Sequence, residues 1–117
     1  MKIITWLWSQ PNSRFAYTVG HVNAWFKAIR AHGCTLPVAV ITDQTDGIDP
    51  EIEIIQPPTD FLSVKCADWD EKAGLPQCYR RLAIYAPDAA EWLGCDKILQ
   101  MDIDCIITGD LTPLFDI

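Results

Sequence analysis

Long apolar runs are missing from this sequence of 117 residues, and their absence argues against membrane-spanning helices. No stretch approaches the roughly 18 consecutive apolar residues that such a helix needs. The apolar start, residues 1–8, is too short for the core of a signal peptide and has no small-residue cleavage site. We therefore expect a cytoplasmic protein with no transmembrane segment.

Basic residues are scarce as well. Nine Lys and Arg residues stand against sixteen Asp and Glu residues, which gives a formal net charge of −7. An acidic surface does not attract nucleic acid or anionic membranes, so unspecific binding to either polyanion is disfavoured. A phosphate-bearing ligand is also an anion, and its site would need a divalent metal or a few well-placed arginines to reverse the local charge.

Closely spaced cysteine pairs are absent, which argues against a zinc site. The number of cysteines is odd, and nothing in their spacing suggests a disulfide framework. We expect reduced, buried thiols that pack as small apolar side chains. The residues concerned are Cys34, Cys66, Cys78, Cys95 and Cys105.

Short apolar runs mark the predicted strands. Residues 3–8, 37–42, 51–55 and 97–101 have the length and the flanking turn residues of buried strands. Residues 105–107 continue the last apolar run beyond an acidic tripeptide.

Helical patterns separate these strands. Gly33 ends the first predicted helix at the position that a left-handed cap favours. Residues 77–86 look helical, residues 87–93 continue as a second piece, and Gly94 caps it. Residues 57–76 are predicted to be a long loop, of the kind that is often functional in a compact domain. Apolar residues at spacings of four and three define the buried face of the first helix: Phe15, Val19, Val22, Phe26 and Ile29.

Strands that alternate with helices predict a single α/β domain over residues 1–117, with a mainly parallel sheet flanked by helices. Ligands of such sheets gather at the carboxyl ends of the strands. We expect Asp43, Asp102 and the loop after Trp8 to meet at that edge.

Asp102 and Asp104 are the sharpest local feature of the sequence. Two carboxylates one residue apart, directly after an apolar strand, can both reach a cation if the backbone bends there. Mg²⁺ or Mn²⁺ would take one or two carboxylates together with phosphate oxygens and water. Such an ion neutralises a leaving diphosphate as its bond to a sugar breaks. A solvated strand end without a metal is the open alternative.

Residues 95–116 resemble the DxD region of GT-A glycosyltransferases, especially the family-8-like sugar transferases. The shared pattern is an apolar strand, Asp-x-Asp, a short apolar strand, a polar turn, and Asp110-Leu111 followed by Leu114-Phe115. The resemblance implies the Rossmann-like, nucleotide-sugar-binding half of a GT-A fold. It also implies metal-dependent transfer of a sugar from a nucleotide diphosphate-sugar, a UDP-sugar above all, to an unknown acceptor.

Within this resemblance, Asp102 contacts the donor and the metal, and Asp104 contacts the metal. Arg81, with Arg80 as second choice, matches a helix arginine that holds the nucleotide diphosphate, where a bidentate contact would offset the negative charge. Asp43 matches an aspartate that contacts the base or ribose. From the residues alone, each of these upstream residues keeps an ordinary alternative as a surface or turn residue.

Other residues are assigned more loosely. Tyr17 matches an aromatic residue near the base, although an aromatic at helical spacing is more often a core residue. Lys65 and Trp69 in the long loop could approach the donor phosphates or cover the site. His21 and His32 are expected on the helix surface and not as ligands.

Three other functions stay open. A haloacid-dehalogenase-like phosphohydrolase also has Asp-x-Asp after an apolar strand, with the first aspartate as nucleophile. That family usually opens with its motif and favours Gly-Thr after it, whereas three strands come first here and Cys105-Ile106 follow. A nucleotidyltransferase would share the metal, but its glycine-rich loop is missing. A non-catalytic α/β binding module fits the same fold.

The resemblance ends at Ile117, where such enzymes continue into the half that contacts the acceptor. We expect a fragment with little or no transferase activity of its own, whose catalytic base or nucleophile lies beyond residue 117.

Overall fold

The computed structural model describes residues 1–9, 16–61 and 78–117. Several features named above lie outside the described residues: Phe15, Lys65, Cys66, Trp69 and most of the predicted long loop 57–76.

Four parallel strands form the described sheet. They pair in the order β3-β2-β1-β4, so the chain returns past β1 to add the last strand on its far side. The predicted α/β fold with a parallel sheet flanked by helices is confirmed. The strands are β1 (Lys2–Leu7), β2 (Val38–Thr42), β3 (Glu53–Ile55) and β4 (Ile98–Gln100).

The central strand, β1, is buried along its whole length. Because successive side chains of a strand point to opposite faces, Ile3 and Leu7 pack into one core while Ile4 and Trp6 pack into the other. A parallel strand that is covered on both faces is apolar almost throughout. This double burial is why a continuous apolar run predicted the strand.

Lys2 is the exception in β1, because it is a charged side chain and yet buried. Its ammonium donates to the carbonyl oxygen of Leu93 at 2.5 Å and lies 2.6 Å from the carboxylate of Glu53. A buried charge is tolerated when it is paired and hydrogen-bonded. Lys2 thereby ties β1 to β3 and to the end of a helix on one face of the sheet.

Helices cover both faces of the sheet. Helix α1 (Val19–Ala31) and the C-terminal 3-10 helix (Thr112–Asp116) cover one face. The central 3-10 helix (Cys78–Tyr85) and α2 (Ala89–Leu93) cover the other. Within the part of the chain that the structure describes, no helix is both long and apolar enough to cross a bilayer.

The start and end of α1 follow from its sequence. At the start, the backbone N–H of Thr18 donates to Nδ1 of the exposed His21 at 3.0 Å, which satisfies a donor next to the first turn. At the end, Gly33 has φ +85°, a left-handed conformation that a glycine adopts without steric cost. His32 is exposed at the C-cap, so both histidines lie on the surface as predicted. The predicted apolar face is buried at Val22, Phe26 and Ile29 and half-buried at Val19, and Trp25, which the prediction did not include, is buried beside it.

The predicted helix over 77–86 is a 3-10 helix rather than an α-helix over its described residues. Its two buried residues, Arg80 and Ala83, are three positions apart, which is one turn of a 3-10 helix. The prediction of a second piece ended by a glycine is confirmed, since α2 ends at Gly94 with φ +70°.

Residues 105–107 do not form the short strand that the sequence pattern suggested. The backbone N–H of Cys105 donates to the carbonyl oxygen of Asp102 at 3.2 Å and closes a turn directly after β4. Past this turn, Ile106 is exposed and Ile107 is buried in the core beneath α1. The backbone therefore bends at Asp102 and Asp104, which was the condition for both carboxylates to reach one cation.

The cysteine prediction is only partly right. Cys34 is buried and Cys95 is half-buried, but Cys78 and Cys105 are exposed. The two exposed residues lie at the start of a 3-10 helix and in the turn after β4, not inside a strand, so no neighbouring layer covers them.

Gly94 provides a test of the fold. Replacing it with alanine places a Cβ on left-handed backbone, and we expect the free energy of unfolding to fall by about 1 kcal/mol. The added Cβ would meet Nζ of Lys2 at 3.5 Å, an ordinary contact, so the loss is conformational rather than steric. Urea denaturation followed by circular dichroism measures the change.

Gly109 is the matched control for this substitution. Its φ is not in the left-handed region and an added Cβ would enter open space. Gly109→Ala should therefore leave the stability unchanged or raise it slightly. Equal losses in the two variants would contradict the assigned helix end.

Candidate functional site

The strand order reverses between β1 and β4. From β1 the sheet extends through β2 to β3 on one side, and β4 lies alone on the other. In open α/β sheets, ligands bind in the crevice outside the carboxyl ends of the strands at such a reversal. The end of β1 and the turn after β4 meet at this position.

A cavity of about 130 Å³ opens at this edge of the sheet. Its walls come from β1, from the residue before the α1 cap, from the central 3-10 helix and from the turn after β4. Two of these four segments, the central 3-10 helix and the turn after β4, are distant in sequence from the other two. The residues that line it are Trp6, Trp8, Tyr17, Arg81, Asp102, Ile103 and Asp104.

Asp102 forms an ion pair with Arg81 at the wall of this cavity. Nη1 of Arg81 donates to Oδ1 of Asp102, and about half of the Asp102 side chain stays accessible to solvent. The guanidinium group of Arg81 also lies 5.6 Å from the centre of the Trp8 ring, within range of a cation–π contact. The structure therefore brings together Arg81, which the sequence predicted as a diphosphate-binding residue, and Asp102, which it predicted as a metal ligand.

Asp104 is held by a different kind of partner. The hydroxyl group of Tyr17 donates to Oδ2 of Asp104 at 2.9 Å. This hydrogen bond, with smaller contributions from burial and from the charges of Asp104 and Asp102, raises the pKa of Tyr17. The phenol consequently stays protonated, and so remains a neutral donor to Asp104, to a higher pH than an isolated tyrosine would.

Asp43 and Arg80, two residues that the sequence predicted to contact the donor, are not among the residues that line the cavity. Both carboxylate oxygens of Asp43 face the backbone N–H of Ser9, at 3.1 and 3.4 Å, which ties the ends of β2 and β1 together. Arg80 is buried, with its guanidinium 5.5 Å from the centre of the Trp8 ring. Burial lowers the pKa of Arg80, and the nearby charge of Asp43 raises it in part. Arg80 therefore packs against Trp8 in the wall, and Asp43 holds the backbone of the next residue, Ser9.

Asp102 and Asp104 fit a hard divalent cation by their chemistry. Both are exposed carboxylates at the same cavity, and oxygen is the ligand that Mg²⁺ and Mn²⁺ prefer. No group of three or more His, Cys, Asp or Glu side chains comes together within residues 1–9, 16–61 and 78–117. Water and a bound phosphate would supply the other ligands, as is usual for Mg²⁺.

Of the three aromatic residues in the wall, Tyr17 was predicted from the sequence, whereas Trp6 and Trp8 were missed. Trp6 and Trp8 pack edge to face, with ring centres 6.1 Å apart, and the indole N–H of Trp6 donates to Oε1 of Gln100 at 2.9 Å. Trp8 could have been found, because it is the last residue of an apolar run that ends at the ligand edge. Trp6 could not have been found from the sequence, because a tryptophan inside an apolar strand is expected to be a core residue.

No protein-family model, no curated protein and no solved structure matches the chain. Because a fold does not by itself determine a function, the function has to be inferred from the residues around the cavity.

Proposed function

We propose that this chain binds the donor of a glycosyltransferase reaction, a nucleotide diphosphate-sugar such as a UDP-sugar, together with Mn²⁺ or Mg²⁺. The observation that carries the proposal is that Arg81, Asp102 and Asp104 line a single cavity at the reversal of the strand order. A diphosphate is bound well by a cation and an arginine acting together. The resemblance of residues 95–116 to the DxD region of sugar transferases supports the same function.

The charges around the cavity explain why a metal would be needed. The formal charges of the two aspartates and one arginine that line it, Asp102, Asp104 and Arg81, sum to −1. A cavity of that charge, in a chain with a net charge of −7, repels a diphosphate. A divalent cation held by Asp102 and Asp104 would change the local charge to +1. Metal binding thereby converts a site that repels the ligand into one that attracts it.

Each residue then has a distinct role in binding. Asp102 and Asp104 would hold the ion, whose chemistry is to neutralise the diphosphate as it leaves the sugar. Arg81 would donate to phosphate oxygens, and Tyr17 orients Asp104. Trp8 supports the guanidinium group of Arg81 through its ring. We assign no catalytic base or nucleophile among the described residues.

Removing both carboxylate charges tests this function. Isothermal titration calorimetry of the natural chain with UDP or UDP-glucose should show binding that requires Mn²⁺. Asp102→Asn combined with Asp104→Asn should lower that affinity by at least about ten-fold, because even partners of metal ligands contribute this much.

Glu51→Gln combined with Asp96→Asn is the matched control. It also removes two exposed negative charges, but from the end of the sheet where β3 and β4 begin. Its UDP affinity should equal that of the natural chain. Unchanged Mn²⁺-dependent binding in the Asp102 and Asp104 variant would overturn the proposal. Transfer of phosphate from acetyl phosphate to Asp102 would indicate a phosphohydrolase instead.

Tyr17→Phe tests the orienting hydrogen bond. The variant keeps the ring but loses the hydroxyl group that donates to Asp104, so the carboxylate is free to rotate. We expect Mn²⁺-dependent UDP binding to weaken about ten-fold, as is typical when the partner of a metal ligand is removed.

Tyr85→Phe serves as the control for Tyr17→Phe, since Tyr85 is 79% exposed and lies outside the cavity. It should change neither the UDP affinity nor the unfolding midpoint. The same loss of affinity in both tyrosine variants would show that Tyr17 has no specific role.

A further inference from the structure

Arg81 and a divalent cation would use the same carboxylate. Nη1 of Arg81 donates to Oδ1 of Asp102, so one oxygen of the predicted metal ligand already contacts a positive charge. Asp104 differs, because its partner is the neutral hydroxyl group of Tyr17. A cation that enters the cavity therefore meets one carboxylate held by a charge and one held by a neutral donor.

Arg81 has a second contact besides its ion pair with Asp102. Its guanidinium group lies 5.6 Å from the centre of the Trp8 ring, which favours its position at the cavity wall. A cation bound at Asp102 would lie next to this guanidinium group, because Arg81 is already in contact with the Asp102 carboxylate. The two positive charges would repel each other. In the absence of an anion, Arg81 and the metal ion compete.

A diphosphate reverses the sign of this coupling. Its oxygens can accept hydrogen bonds from the guanidinium group of Arg81 and can coordinate the metal ion at the same time. The negative charge of the diphosphate attracts both the guanidinium group and the metal ion, and these two attractions outweigh the repulsion between the cations. Arg81 then stabilises the bound metal ion instead of opposing it.

We propose that Arg81 makes the cavity selective for a metal–diphosphate complex over a free metal ion. This inference rests on the function proposed above, and it identifies the ligand as the complex of a divalent cation with a nucleoside diphosphate. The two components would be retained together and released together.

The experiment measures Mn²⁺ affinity by electron paramagnetic resonance of free Mn²⁺, with and without saturating UDP. Arg81→Gln should bind Mn²⁺ alone about two- to five-fold more tightly than the natural chain. The variant loses the ion pair with Asp102 that competes with the metal ion, and exposed ion pairs contribute about this much. In the presence of UDP, the same variant should bind Mn²⁺ about ten-fold more weakly, because charge-assisted hydrogen bonds to phosphate are lost. A residue with a merely structural role would not change the sign of its effect when UDP is added.

Two further variants separate charge from geometry. Arg81→Lys keeps the positive charge but lacks the fork of donors, so it should hold Mn²⁺ alone near the natural affinity and bind the UDP complex more weakly. Lys27→Gln removes one positive charge from an exposed position of α1 outside the cavity, and neither affinity should change. Thermal unfolding of each variant confirms that it is folded.

The outcomes distinguish this inference from the proposed function. If Arg81→Gln binds Mn²⁺ alone no more tightly than the natural chain, while Asp102→Asn with Asp104→Asn abolishes Mn²⁺-dependent UDP binding, the inference is wrong and the donor site stands. If the two aspartates affect Mn²⁺ binding in neither the natural chain nor Arg81→Gln, both are wrong.

Discussion

The pairing of β1 with two parallel neighbours is the interaction on which the site depends. β1 pairs with β2 along five residues and with β4 along three, and the backbone N–H of Met101 adds one more bond to Ile4 beyond β4. Because all of these strands run in the same direction, the residues that follow them emerge at the same edge. Trp8 and Asp102 are far apart in sequence, and only this pairing brings them to a common cavity.

Charge is the second constraint on the site. A chain with a net charge of −7 can bind an anion only where its local charge is reversed. The structure concentrates one arginine and two aspartates at the cavity and keeps a second arginine buried behind Trp8. The ion pair between Arg81 and Asp102 keeps the guanidinium group beside the carboxylates in the absence of a ligand. The same ion pair makes the cavity a poor site for a bare cation.

Arg80 and Arg81 show where inference from sequence stops. The two residues are identical in type and adjacent in sequence, and only a family resemblance favoured the second. The 3-10 helix turns one of them toward the cavity and the other into the core, which no property of the pair itself predicts. Asp43 shows the same limit, because a strand-end carboxylate can serve a ligand or the backbone of the next strand. The structure shows it bonded to Ser9.

The sequence by itself determined the strands, the helix α1, the glycines that follow α1 and α2, and the pair of aspartates after β4, because these depend on local periodicity and on single residue types. It also determined that Asp43 and Asp102 follow strands. The tertiary structure alone decided which partner each of these carboxylates has, that Trp6 forms part of the wall, and that residues 105–107 leave the sheet. Those outcomes depend on contacts between segments distant in the chain, and no local pattern encodes such contacts.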